Sequence, residues 1–481
     1  MMKNYDISIV GNGIIAYSIC YSLLELDKSL RIAVVAKNPR RGSATMAAGA
    51  MLNCFAEITS LSLYNETAKS LFDISLTSLR MWDEWVSRIK EQSKFKDLKI
   101  NPGTFVIHNA KSGALDSTHF DAIVEALNSY NEPYEKVSYK EIKGYNPVAD
   151  CRALEAIYLP NEGAINPSEM LAALQEILLK SGRVDFIDDD VTSLTSKNGL
   201  FEVNTHNFNL VSKQLLIAAG SYSQKLIENF PEISGSIPRI LAGVGYSVIM
   251  EQTHSNKIEN VIRTPNRAGA CGLHALPIDG SKNLYIGATN NVALETEELT
   301  KAALSYFLLE CGLEQINQEL HRSRIQQWNV GNRPVTLDGY PLIGQTSIPG
   351  LWIASGTYRD GFHKSPFIAQ HMANEMLGRK GLIDHDLFKP ERKFIRGMSI
   401  EESIQETVDH FMSGSYEWGM KLPKIGYDQL LRNLTTERLE KIYQELDIDF
   451  GLNPDLMIML YFAEDQKNMT SYLNDALRAI A

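Results

Sequence analysis

The feature that most constrains this chain stands at its start. A short apolar run, Ile7 to Val10, leads straight into Gly11-Asn12-Gly13-Ile14-Ile15-Ala16. Beyond it the apolar spacing changes to that of one helix face, with Ile15, Ile19, Leu23 and Leu26 near i, i+4, i+8 and i+11. A second apolar run follows at Ile32 to Val35. Strand, glycine turn, helix, strand is the setting in which a GxGxxA pattern binds a dinucleotide. Gly11 permits the tight turn, Gly13 permits close approach of the backbone to a pyrophosphate, and Ala16 lets the helix pack near the strand. The free N–H groups of the helix then meet the phosphates. The expected fold is α/β, with a parallel sheet at its N-terminal end.

One element of the pattern is missing. An acid commonly stands about 20 residues beyond such a turn and holds the ribose hydroxyls. Here that place is Ala36, followed by Lys37 and Asn38, then Arg40 and Arg41. Asn38 or a backbone group could replace the contact. The basic cluster suits either a 2′-phosphate, as in NADP, or a plain solvated loop.

Composition excludes several classes. The net charge of −11 is wrong for a nucleic-acid-binding surface. The five cysteines, Cys20, Cys54, Cys151, Cys271 and Cys311, are scattered and form no CxxC, so neither a disulfide scaffold nor a zinc site is expected. No metal site is expected at all, and there is no HExxH or GxSxG. No apolar run approaches the roughly 18 residues needed to span a bilayer. With no leader-like segment before the first strand, the expected location is cytoplasmic.

Further segments bear on the ligand. "GSATMAAGAML" (42–52) is rich in small residues that let a backbone lie close to a flat group. With the glycine turn it resembles the flavin-contacting loop of the D-amino-acid oxidase superfamily, which includes glycine and sarcosine oxidases. "NPGTFVIHNA" (101–110), "YLPNEGAINPSEMLAALQEILLKSG" (158–182), "VDFIDDDVTSL" (184–194), "KQLLIAAGSYS" (213–223), "GACGLHALPIDGSKNLYIGAT" (269–289), "GNRPVTLDGYPLIG" (331–344) and "GLWIASGTYRDGFHKSP" (350–366) resemble later family segments in the family's order. The resemblance covers roughly residues 5 to 380.

It implies a Rossmann-like FAD-binding domain made of residues 1–60, 155–225 and 330–385, interleaved with a mixed-sheet substrate domain of residues 61–154 and 226–329. Residues 386–481 lie outside it and read as a helical C-terminal extension. Asn453 and Pro454 are placed to start one of its helices, and Thr435 or Thr436 to cap another. Its run "LMIMLYF" should be buried against the body, a second copy of the chain or a partner protein.

The resemblance also implies FAD, held noncovalently, because the linking Cys or His of covalent relatives has no counterpart near Gly331 or in the N-terminal signature. It assigns Gly11, Gly13, Ile14, Ala16, Lys37, Asn38, Thr45, Ala47, Ala48 and Gly49 to the cofactor, with Val191, Ala219, Gly220 and Gly356. Arg359, Asp360, Gly361, Phe362, His363 and Lys364 complete that set, ahead of a helix opening at Ser365 and Pro366. Arg333 resembles the arginine that grips the substrate carboxylate, and Arg359 a second active-site arginine. His274 stands where the family often carries a tyrosine; it suits either a carboxylate hydrogen bond or a proton acceptor. Tyr246 and Tyr358 are further pocket candidates. The implied activity is oxidation of the C–N bond of an amino acid or secondary amine. A tailoring enzyme acting on a larger or carrier-bound substrate, and a scaffold that has lost FAD, are the alternatives.

Overall fold

The computed structural model describes residues 3–267, 272–278, 280–383, 387–423 and 425–480; Cys271 and the end of the segment 330–385 lie outside them. Two sheets organise the chain. In the first, Lys3–Val10 lies between Ile32–Val35 and Asn209–Ile217, parallel to both. Val184–Ile187 extends one side and Leu351–Ser355 the other, both parallel, and Leu342–Gln345 closes that edge antiparallel. Strand order therefore reverses beside Lys3–Val10. The crevice outside the carboxyl ends of strands at such a reversal is where open α/β sheets bind ligands.

The helix Ile14–Leu26 leaves this strand and packs against Ser365–Met376 and Pro167–Lys180. Its spacing predicted one buried face, but Ala16, Tyr17, Ile19, Cys20 and Tyr21 are all buried, because neighbours enclose most of its circumference. Trp82 and Trp85, on the helix Glu66–Gln92, are core residues as their spacing suggests. Trp82 Nε1 also donates to the His363 carbonyl at 2.8 Å, which ties this helix to the loop before Ser365.

The second sheet runs in the order Asn291–Ala293, Ile240–Glu251, Asn283–Gly287, His274–Ile278, Val261–Arg263, Ile100–Asn109, Ala153–Ile165, Met51–Leu52. Arg324–Thr336 pairs with Ile240–Glu251 along a long antiparallel ladder that sets Arg333 opposite Gly243. These ladders move the expected domain boundaries. Ala153–Ile165 and Arg324–Thr336 hydrogen-bond within the second sheet, so the segments expected to start at 155 and 330 rejoin the first unit only after those strands. Met51–Leu52, expected in the first unit, also pairs into the second sheet.

The C-terminal extension forms the helices Ile400–Glu417, Tyr427–Glu445, Pro454–Tyr461 and Gln466–Arg478. It packs on the body: Leu439, Ile442, Leu456, Met457 and Leu460 share a core with Leu241, Val292, Val335 and Leu337. Asn453 caps its helix as expected, its Oδ1 accepting from the Asp455 amide at 2.9 Å. Thr435 caps nothing; it lies buried inside an unbroken helix. The last stretch, read as one helix, breaks after Tyr461, and Asp465 caps a new one. The buried Arg267 fastens extension to body, donating to Asp116 at 2.6 Å and to Glu417 at 2.7 Å.

Candidate active site

A cavity of about 730 Å³ opens at the strand reversal and continues beneath the second sheet. One end is walled by Lys37, Asn38, Asp190 and Val191; the middle by Gly11, Gly13, Ile14, Thr45, Ala47, Ala48, Gly49, Ala219 and Gly220; the far end by Tyr246, His274, Arg333, Tyr358 and Arg359. Asp360, Gly361, Phe362 and His363 also line it. Three assigned residues do not. Ala16 is fully buried in its helix, Gly356 turns against Thr336, and Lys364 is buried behind the wall with Nζ 2.7 Å from Asp360. Lys364 is neither a snorkelling surface lysine nor a free charge toward this cavity.

The glycine turn is fixed from several sides. A Cβ on Gly11 would stand 2.2 Å from the Ala218 carbonyl oxygen, so the turn closes directly on the end of the neighbouring strand. The N-cap of Ile14–Leu26, Gly13, offers no side chain, and the first helical amide, that of Ile14, donates to Thr45 Oγ1 at 3.1 Å. The basic cluster is used locally. Arg40 donates to the Asn12 carbonyl at 3.0 Å and to the Tyr17 hydroxyl at 2.7 Å, while Arg41 lies 3.6 Å from Glu298. Where Ala36 lacks a carboxylate, Asn38 occupies the wall and its backbone N–H donates to Asp188 at 2.8 Å. The acids at this end thus come from the neighbouring strand's exit, Asp188 to Asp190.

At the far end, Arg333 Nη1 donates to the Thr289 carbonyl at 3.1 Å and to Asn290 Oδ1 at 3.2 Å. Its guanidinium lies flat on Gly245, where a Cβ would come within 2.1 Å of Nη1. Arg359 sits over the Tyr358 ring, 5.1 Å from its centroid. Burial works against ionised Glu57, but Arg263 and Arg359 outweigh it and hold that carboxyl down at about 2. Arg359, Glu57 and Asp360 also line a second cavity, of about 260 Å³, beneath the extension.

His274 is held in one neutral form. Burial pushes its imidazole down to about 4, so it is neutral near pH 7. Its Nδ1 is 2.8 Å from the Gly272 carbonyl oxygen and must donate there, which leaves Nε2 an acceptor. A carboxylate cannot bond to it, and it is a weak base. It stacks on Tyr285, whose hydroxyl donates to the Ala47 carbonyl at 2.9 Å.

Burial also pushes His363 and His410 down to about 4. The unfolded chain binds protons at all three histidines below about pH 6.5, whereas the folded chain does not until about pH 4. Stability is therefore complete above pH 6.5 and falls as pH drops through that window. Glu162, pushed up to about 7 by burial, acts in the opposite sense between 4.5 and 7, as does Glu406, also raised by burial, while His119 and His254, lowered by burial, add to the three histidines. The thermal midpoint should drop by roughly 5 °C between pH 7 and pH 5; a flat profile measured by scanning calorimetry would contradict this account.

The profile of the FAD dependent oxidoreductase (DAO) family matches residues 6–375. The chain belongs to that family. Glycine oxidase of Geobacillus kaustophilus is 22% identical over 368 residues, 76% of this chain and 91% of that protein. D-amino acid dehydrogenase of Helicobacter pylori is 19% identical, over 77% of this chain and 94% of that one. The crystal structure of the Geobacillus kaustophilus glycine oxidase superposes with a TM-score of 0.69 at 20% identity, covering 81% of this chain and 99% of that one. Iminodiacetate oxidase from Chelativorans sp. BNC1 gives 0.67 at 19%, covering 80% and 98%. The extension's helices begin beyond the matched residues.

As a DAO-family protein the chain is an FAD-dependent oxidoreductase, and its cavity fits that cofactor. The cavity is lined by the glycine turn that opens a helix N-terminus, and a buried Ser221 hydroxyl on its wall has no partner among the described residues. Residues that the sequence reading passed over include Asn290, Tyr285, the Glu57–Arg263 pair and Asp455. An Asn, a Tyr or an ion pair carries no local motif; Tyr285 and Glu57 line the cavity, while Asn290, Arg263 and Asp455 bond to residues that do, Arg333, Glu57 and Tyr358. No helix among the described residues is long and apolar enough to cross a membrane.

Proposed function

We propose that this family member oxidises the C–N bond of an amino acid, with the substrate carboxylate on Arg333. The observation that carries the reading is the state of that arginine. It lies on the cavity wall, bonded to two neutral acceptors, and forms no ion pair among the described residues. A guanidinium so placed lacks an anion, and a carboxylate satisfies it bidentately.

FAD, when bound, would supply the two-electron oxidant that accepts the substrate's hydride, leaving an imine that water hydrolyses to a carbonyl compound. The chain's own part is positioning. Arg333 fixes the carboxylate, so that Cα faces a set direction. His274 Nε2, an acceptor, takes a hydrogen bond from the substrate N–H. Arg359 adds positive charge near the same end, held in place by Glu57 and the Tyr358 ring. The glycine turn at the start of Ile14–Leu26 would hold the pyrophosphate, and Asn38 and Asp190, on the wall near the end of the second strand, would hold the ribose. Glycine oxidase and D-amino acid dehydrogenase, as names of relatives, support this substrate class.

The test is anaerobic mixing with a panel of free amino acids while flavin absorbance is followed. At least one should bleach it, and the matching amine without the carboxylate should not. If none of the panel does so, the free amino-acid reading fails and a larger or carrier-bound substrate replaces it.

A further inference from the structure

A chain of hydrogen bonds links the extension to the substrate end of the cavity. Arg333 Nη1 donates to Asn290 Oδ1 at 3.2 Å. Asn290 Nδ2 donates to the Tyr358 hydroxyl, and that hydroxyl donates to Asp455 Oδ2. Every donor points the same way, from a cation in the body to a carboxylate in the extension. Asp455 is buried, in the first turn of Pro454–Tyr461, where the helix dipole favours its charge. Gly243 makes room for the chain: a Cβ there would stand 3.0 Å from the Tyr358 ring and 3.2 Å from Asn290 Oδ1.

We infer that Asp455 is a positioning residue of the substrate site, setting the Arg333 guanidinium through Tyr358 and Asn290. The inference rests on the reading of Arg333 as the carboxylate anchor. A tyrosine hydroxyl has one proton. With that proton committed to Asp455, its oxygen can only accept from Asn290. The Asn290 amide must then turn its NH2 toward Tyr358 and its carbonyl toward Arg333. Without Asp455 the hydroxyl proton is free to turn toward Asn290, and the amide can flip to present its NH2 to the guanidinium. Linked bonds of one polarity strengthen one another, so loss at the far end is felt at Arg333. The extension thereby completes a site that the family-matched segment alone leaves open at Tyr358.

Acetate, titrated into the FAD-loaded enzyme and followed by its perturbation of the flavin spectrum, reads the anchor directly. Asp455→Leu and Tyr358→Phe, neither of which leaves an acceptor or donor at its place, cut the chain at two points; each should weaken acetate about tenfold at unchanged FAD content. In an Arg333→Ala background, Asp455→Leu should add less than about twofold. Equal losses in both backgrounds, or no loss in either single variant, overturn the inference while leaving Arg333 in its role. Wild-type acetate affinity in Arg333→Ala alone overturns the carboxylate reading itself, so the two failures are told apart.

Discussion

Gly11→Ala protein is expected to be folded and colourless. Gly11 has φ +131°, a region that L side chains rarely adopt. Its missing Cβ would stand 2.2 Å from the Ala218 carbonyl oxygen and 2.6 Å from the carbonyl carbon, both backbone atoms at the end of a sheet strand. Neither can give way without moving Lys3–Val10 against Asn209–Ile217, whose register is parallel up to Val10 and Ile217. The turn must therefore open, carrying the amides of the following helix away from the pyrophosphate. FAD affinity should fall by about two orders of magnitude, read as the ratio of flavin to protein absorbance before and after dialysis. Gly182→Ala is the control. Gly182 lies away from the cavity and has φ +64°, but a Cβ there meets nothing within 4 Å. It should cost only the left-handed penalty of about 1 kcal/mol and keep the protein yellow. A yellow, stoichiometric Gly11→Ala protein would show that the turn does not hold the cofactor.

That contrast also shows what can be read from the sequence. The glycine turn is legible because strand, turn and helix are adjacent in the chain, and each carries its own periodicity. The helix caps at Asn453 and Asp465 are local in the same way, although only the first was anticipated. Sheet membership is not local. Ala153–Ile165 sits beside Ile100–Asn109 by antiparallel pairing, and nothing within "YLPNEGAI" distinguishes a strand of one sheet from a strand of the other. Lys364 illustrates the same limit for charge. Its place in the motif says that a cation is near, but only the fold shows that the Asp360 carboxylate four residues earlier takes it up. His274 shows it for protonation: the residue type suggests a titrating group, and burial beside the Gly272 carbonyl removes that behaviour. The bond between Tyr358 and Asp455 spans 97 residues and joins a motif to a segment without one.

Arg333→Ala should lower kcat/KM for the amino acid that reduces the flavin by about two to three orders of magnitude, mostly through KM. The argument follows from what else could hold the carboxylate. His274 cannot, because its cavity-side nitrogen is an acceptor. Tyr246 cannot, because its hydroxyl proton is committed to Glu297. Tyr358 cannot, because its proton goes to Asp455. Arg359 remains, but it stacks on the Tyr358 ring and shares its charge with Glu57. Removing Arg333 thus leaves a substrate anion desolvated beside one arginine already engaged, and losing one partner of such a pair costs about 2–5 kcal/mol. Arg333→Lys should recover only part of the loss, since an ammonium lacks the planar fork and cannot lie on Gly245 as the guanidinium does. The amine analogue without a carboxylate separates anchoring from general damage: whatever weak reduction it supports in the wild type should persist in Arg333→Ala. If both substrates lose equally, Arg333 shapes the cavity and does not grip the carboxylate.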